Sequence, residues 1–355
     1  MPKKIIITGG CGFVGSNLAI GLKTLHPEYT IVAIDNLRRR GSELNIKRLA
    51  EFSIDFIHGD IRNREDLETI ESADFVIDAS ADPSVLSGIN SPILPLINTN
   101  LNGTVNCLEL AHRLGAAFIF LSTSRVYPVQ LLEQAKFKES ETRFEWTNEQ
   151  LLPGISSNGI TEDFPLHGSR SYYGTTKLAS ELLIEEYHSL RGMQTVINRF
   201  GVISGPWQMG KIDQGVLVLW LARHYFKGSL KYIGYGGSGK QTRDVLHIAD
   251  LVNLLDWQIT NIGKVNGEIF NAGGGRNCSF SLLELTELCK EVTGNSIDIL
   301  PETEPRPADV RIYLTDNAKV NAATLWEPTK TLKDIVSDTF QWLQSNETVL
   351  KEILK

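Results

Sequence analysis

The sequence predicts an α/β protein: a doubly wound parallel sheet flanked by helices, with a smaller α/β lobe interleaved. Three observations predict it. Residues 4–25 read as an apolar strand, a glycine-rich turn and a helix. Short apolar runs then alternate with helical patterns to about residue 121, the rhythm of crossover units. With 355 residues and 42% hydrophobic content, the chain is also long enough for two lobes rather than one.

The elements follow in order. Lys4 to Thr8 is apolar and β-branched, and Ser16 to Leu25 has helical apolar spacing. Between them lie Gly9, Gly12, Phe13, Val14 and Gly15. Glycines at these positions permit a tight turn, and they let backbone N–H groups approach a pyrophosphate at a helix N-terminus. A second strand, Thr30 to Ile34, ends in Asp35 and Asn36, where a dinucleotide-binding pattern places an acid on the adenosine ribose. A carboxylate accepts both ribose hydroxyls and repels a 2′-phosphate, so the expected cofactor is NAD. Arg38, Arg39 and Arg40 keep NADP as the alternative.

The third strand, Asp55 to His58, leads to Asp60 and Ile61, which are suited to flank an adenine. The fourth, Asp74 to Ile77, leads to Asp78, Ala79, Ser80 and Ala81, small residues that let backbone approach the cofactor. A helix over Asn98 to Leu114 and a strand over Ala117 to Leu121 follow, so the Rossmann-type site is expected at the strands' carboxyl ends. Tyr173 and Lys177 are four apart, on one face of a further helix. A nearby ammonium and an oxidised nicotinamide both favour a phenolate, so Tyr173 is expected to titrate low and act as a base. Taken alone, this spacing is common on exposed helices.

Composition excludes several classes. A net charge of −7 with scattered basic residues argues against a nucleic-acid partner. No apolar run approaches the roughly 20 residues that span a bilayer, and the start of the chain lacks a signal-type core. Cys11, Cys107, Cys278 and Cys289 are dispersed, which suggests no disulfide framework, no metal site and a reducing cytoplasm.

Several runs then resemble one family across nearly the whole chain. They are the glycine turn, Asp35, Ser122 to Tyr127, the Tyr173/Lys177 pair, Arg199 to Pro206, Gly239 to Val245, Phe270 to Gly274 and Arg306 to Asp309. Together they resemble the extended short-chain dehydrogenase/reductases, which include nucleotide-sugar epimerases, dehydratases and decarboxylases. The resemblance implies a catalytic hydroxyl at Thr123, a base at Tyr173, and Lys177 as its modulator and as a partner of the nicotinamide ribose. It also places Asn100 and Ser122 with the cofactor, and Thr123, Ser124 and Arg125 with the substrate. Arg243 and Arg306 suit a diphosphate, because guanidinium forks match phosphate oxygens, and Asp213 and Gln214 suit the base or ribose.

Finer runs, among them Glu141-Thr142-Arg143 and Asp213-Gln214-Gly215, resemble a branch that epimerises C2 of CDP-linked dideoxyhexoses with NAD retained. A CDP-sugar is therefore the favoured substrate. Departures are Arg125 and Pro128 where that branch has Lys and Gly, Asp78 to Ala81 where it has His-Leu-Ala-Gly, and Val202 where the wider family has Asn. Ser124-Arg125 stands where dehydratases carry Asp-Glu, and Arg125 where decarboxylases carry Glu. Epimerisation at another carbon or on another nucleotide sugar, a net NAD(P)-dependent reductase, and a non-catalytic dinucleotide sensor are the alternatives.

Pro128 to Arg170 is long for a connection, and is expected to be a lid or disordered. The cofactor lobe is expected over residues 1–198 with a return through 242–273, and the substrate lobe over 199–241 and 274–355. The resemblance also implies a homodimer through the helices around Asn98 to Leu114 and Tyr173 to Leu190.

Overall fold

A computed structural model describes residues 2–210 and 214–354. The chain forms two compact units, the first made of Met1–Val126, Tyr172–Arg199 and Leu251–Phe270, the second of Tyr127–Ser171, Phe200–Asp250 and Asn271–Lys355. The boundary differs from the sequence expectation. Residues 127–171 and 242–250 group with the second unit, because they make their hydrogen bonds there.

The first unit is built on a seven-stranded parallel sheet. In spatial order its strands are Asp55–His58, Thr30–Asp35, Lys4–Thr8, Phe75–Asp78, Ala117–Thr123, Thr195–Phe200 and Glu268–Ala272. Strand Lys4–Thr8 lies between the second and fourth strands, pairing Thr8 with Ile34 on one side and with Asp78 on the other. The order reverses there, so a crevice opens at the carboxyl ends of these two strands. Ile5, Ile6 and Ile7 are completely buried, as a strand covered on both faces requires. Cys107, Leu108 and Ala111 from helix Gly103–Leu114 and Ile184 from helix Tyr172–Arg191 join Ile6, Val76, Phe118 and Phe120 in one core. Each Leu, Ile, Val and Phe among them contributes roughly 1.5–3 kcal/mol relative to exposure.

The expected helix over Asn98 to Leu114 is not continuous. A short helix, Leu94–Ile97, passes into a π-helical turn at Asn98–Asn102 before Gly103–Leu114 begins. Such turns reposition side chains by one residue, and this one turns Asn100 fully into the interior.

In the second unit, strand Thr242–His247 pairs antiparallel with Ser279–Ser281 and parallel with Ile312–Tyr313 and Val202–Ser204. The long connection expected to be a lid or disordered is ordered structure. It contains helix Val129–Glu133 and an antiparallel hairpin of Phe137–Glu139 with Phe144–Trp146. Phe144 N donates to Lys240 O at 2.9 Å, and Thr242 Oγ1 donates to Phe144 O at 2.7 Å. Further along, Ile160 N donates to Leu314 O at 2.8 Å and Asp316 N to Ile160 O at 3.0 Å. Backbone groups satisfied this way need no solvent, which is why a turn-rich sequence holds one conformation.

Helix Leu282–Thr293 starts with a capping box between Ser281 and Glu284. Arg143 from the hairpin segment adds to it, its Nε donating to Glu284 Oε1 at 2.7 Å and its Nη1 to Ser279 Oγ at 2.9 Å.

Candidate functional site

The glycine turn has the shape its sequence implied. Gly9 has φ +65°, and a Cβ there would lie 2.8 Å from Ala79 O at the end of the fourth strand. A Cβ on Gly15 would collide with Gly9 O. The turn and the Ala79–Ser80 backbone therefore approach as closely as glycine allows, and the N-terminus of helix Phe13–Leu25 is held at the crevice. Asp35 closes the side of the turn, accepting from Cys11 N at 3.0 Å and Leu37 N at 2.8 Å. Burial pushes its carboxyl up while those N–H groups oppose the rise. Asn36 Nδ2 donates to Asp60 Oδ2 at 3.0 Å, and the Arg62 guanidinium holds Asp60 well below the usual carboxylate range. Ile61 is buried beside it. A glycine cradle, a helix N-terminus and a fixed carboxylate one strand away fit a pyrophosphate joined to a ribose diol.

Thr123, Tyr173 and Lys177 are brought together inside the first unit. Thr123 ends the fifth strand, its hydroxyl accepts from Arg125 N at 3.2 Å, and it acts on the Tyr173 phenol to lower its pKa. All three expected catalytic side chains are buried. The titration of Tyr173 differs from the expectation: burial pushes the phenol above its ordinary value near 10, with Thr123 and Arg125 acting downward and Asp82 upward. Arg125, a cation that acts on the phenol, starts from the short 3-10 turn Ser124–Val126. Lys177 instead donates to Leu121 O at 2.8 Å and lies 4.1 Å from the centre of the Phe120 ring. Burial lowers its ammonium, and Asp78 and Glu181 oppose that.

Four residues behind this group, Asp78, Glu181, Arg199 and Asp82, were given no role of their own by the sequence reading. Asp78 is completely buried and accepts from Thr8 Oγ1 at 2.7 Å, Thr104 Oγ1 at 2.8 Å and Ser80 N at 3.1 Å. Its signal was available, since it ends the fourth strand as Asp35 ends the second. Glu181 and Arg199 form a buried pair, Nη2 to Oε2 at 2.7 Å, and Ser122, expected at the cofactor, donates its hydroxyl to Glu181. Asp82 is clasped by Asn100, whose Oδ1 accepts from Asp82 N at 2.8 Å and whose Nδ2 donates to Asp82 O at 3.0 Å. Asn100 thus supports the loop that carries Asp82 toward Tyr173.

The expected substrate residues are less gathered. In the second unit, Arg243 donates from Nη2 to Asp309 Oδ1 at 2.8 Å and from Nη1 to Thr242 O at 2.7 Å, and it also donates to Val310 O. Its guanidinium is committed to holding the 309–311 segment. Arg306 is half-buried in a turn closed by Asp309 N to Arg306 O at 3.1 Å, and Gln214 is half-buried ahead of helix Val216–Tyr225. Asp213 lies outside the described residues. Among the described residues, no helix is long and apolar enough to cross a membrane, and no group of three acids, histidines or cysteines is placed to hold a metal.

The sheet order, the glycine cradle and the Thr123/Tyr173/Lys177 group define an extended short-chain dehydrogenase/reductase. Comparison with known proteins narrows the class. The sequence pattern of the NAD dependent epimerase/dehydratase family matches residues 5–273, and the chain belongs to that family. NAD is its cofactor, and the cradle and Asp35 fit it. The chain is 33% identical over 352 residues to CDP-paratose 2-epimerase of Salmonella typhi, covering 96% of this chain and 99% of that one. It is 25% identical to UDP-glucose 4-epimerase of Bacillus subtilis (strain 168), covering 96% and 97% of the two chains. The structure of Pal from Bacillus thuringiensis superposes with a TM-score of 0.78 at 26% identity, covering 96% of this chain and 99% of that one.

Proposed function

We propose that this chain is a nucleotide-sugar epimerase that inverts C2 of a CDP-linked dideoxyhexose, in the sense of CDP-paratose to CDP-tyvelose. One observation carries the reading: the 33% identity to CDP-paratose 2-epimerase runs almost end to end in both chains, against 25% for UDP-glucose 4-epimerase. Local chemistry supports it. Ser124 and Arg125 follow Thr123, so the position offers no acid pair for eliminating water and no carboxylate for a decarboxylation.

Bound NAD supplies a reversible hydride acceptor. Tyr173 takes the proton of the C2 hydroxyl as the carbon is oxidised, and returns it after the keto sugar has turned over. Thr123 hydrogen-bonds the same oxygen, and Arg125 favours the phenolate against the burial that opposes it. Lys177 would hold the nicotinamide ribose when NAD is bound, its buried ammonium being the donor on the same helix as Tyr173. The Leu94, Leu182 and Leu190 side chains, exposed by more than half on the helices of the first unit, form the contact of a homodimer.

The test is a panel of CDP- and UDP-sugars incubated with the protein in deuterium oxide and followed by NMR. The C2 epimer of a CDP-sugar is expected, with protium retained at the inverted carbon and no added cofactor needed. A product epimeric at C4, formed only from UDP-sugars, favours the 4-epimerase reading instead. Deuterium at the inverted carbon overturns internal hydride return.

A further inference from the structure

The buried charges around Lys177 do not all have visible partners, and their distribution singles out one residue. Glu181 faces the ammonium from the same helix, yet it already receives Arg199 through Nε at 3.0 and 3.2 Å and Nη2 at 2.7 Å, and Ser122 besides. Its charge is closed off by that guanidinium. Cys107 faces Lys177 from helix Gly103–Leu114, and burial holds its thiol well above its usual range, so it is neutral. The ammonium's own hydrogen bond goes to a neutral carbonyl, Leu121 O, and its other neighbour is the face of Phe120. Asp78 mirrors this situation, since all its donors, Thr8, Thr104 and Ser80 N, are neutral.

Asp78 and Lys177 therefore meet at one place on the sheet: Asp78 lies beside Phe120 in the strand register, the Lys177 Nζ sits 4.1 Å from the centre of that Phe120 ring, and both side chains are buried with neutral hydrogen-bond partners only. An unpaired buried charge is costly, and attraction in a low-dielectric interior reaches beyond contact distance. We infer that Asp78 is the counter-ion of Lys177, a positioning residue that keeps the ammonium charged across a gap and leaves its N–H groups available to other acceptors. A contact ion pair would lock Lys177 onto the carboxylate. A carboxylate tied to two threonines and a backbone N–H holds the charge without taking the hydrogen bonds. What the freed ammonium then does, bonding the nicotinamide ribose under Tyr173, rests on the function proposed above, whereas the pairing does not.

The two halves are separable by experiment. In protein carrying 13Cε-lysine, the Lys177 signal is identified by its loss in Lys177→Met and then titrated with pH. Asp78→Asn, nearly isosteric, is expected to lower the Lys177 midpoint by about one pH unit or more, with exposed lysines unmoved. Linkage demands the reciprocal effect, a higher Asp78 carboxyl midpoint in Lys177→Met, and this second titration decides the matter if Asp78→Asn does not fold. With substrate, the alkaline limb of the kcat profile of Asp78→Asn moves toward lower pH, because the ammonium is lost sooner. A midpoint unchanged in either titration overturns the pairing. Absence of turnover with every nucleotide sugar overturns the function while leaving both titrations readable.

Discussion

Asp78 in the first unit and Asp244 in the second are both completely buried strand carboxylates, and their surroundings differ in two respects. Asp78 has hydrogen bonds on both oxygens and a cation, Lys177, within electrostatic reach. Asp244 accepts from Gly275 N at 3.0 Å and Thr315 N at 3.3 Å on Oδ2, while its Oδ1 has no partner among the described residues. Burial pushes the Asp244 carboxyl up to about 6. The contrast teaches that burial alone does not assign a carboxylate its role. The one facing a cation maintains a charge next to reacting groups, and the one without it organises backbone around Gly275 and Thr315.

The widest separation between the two regions is expected from Tyr173→Phe. It lowers kcat about a hundredfold to ten-thousandfold and leaves the melting temperature near that of the parent, as paired kinetic and calorimetric runs would show. Arg199→Met strands Glu181 in the first unit, and urea unfolding is expected to register a loss of about 3–5 kcal/mol.

Asp244→Asn inverts the Tyr173 pattern, sparing turnover and making stability depend on pH. The folded-state value near 6 lies above the unfolded one, 3.8, so the native state holds this proton more tightly. Parent stability therefore falls as pH rises from about 4 to 6. The always neutral variant gains relative to the parent over that window, by on the order of 2–3 kcal/mol at full ionisation. Melting temperatures at about pH 4.5 and about pH 8, near the two ends of the titration, would test it; an equal difference at both ends removes the contrast. The smallest effect belongs to Arg143→Ala, a loss of about 1 kcal/mol for a partly exposed pair, measured as a lower urea midpoint.

Much of the first unit was legible because its signals are local. The glycine turn, Asp35 at a strand end and the Tyr173/Lys177 spacing each lie within one short segment, where backbone geometry dictates residue type. What escaped depends on through-space meetings. Asp78 read only as the start of a small-residue run, because Thr104 and Lys177, which give it meaning, lie far along the chain. Arg125 acts on the phenol as a cation, which the Tyr173/Lys177 spacing gave no hint of, and Lys177 donates to Leu121 O. Residues 128–170 looked structureless because their order comes from backbone bonds to Lys240 and Leu314. Nothing local reveals that Asp309 folds back onto Arg243.

The bond from Arg143 to Glu284 and Ser279 carries a practical consequence for chimeras. The hairpin segment and the first turn of helix Leu282–Thr293 behave as a single cassette: Thr142 O accepts from Ser281 Oγ at 2.8 Å, and Thr142 Oγ1 donates to Glu284 Oε1 at 2.6 Å. Anyone grafting a shorter loop from a relative in place of residues 136–147 must transplant positions 279, 281 and 284 with it, or accept a frayed helix on the far side of the splice.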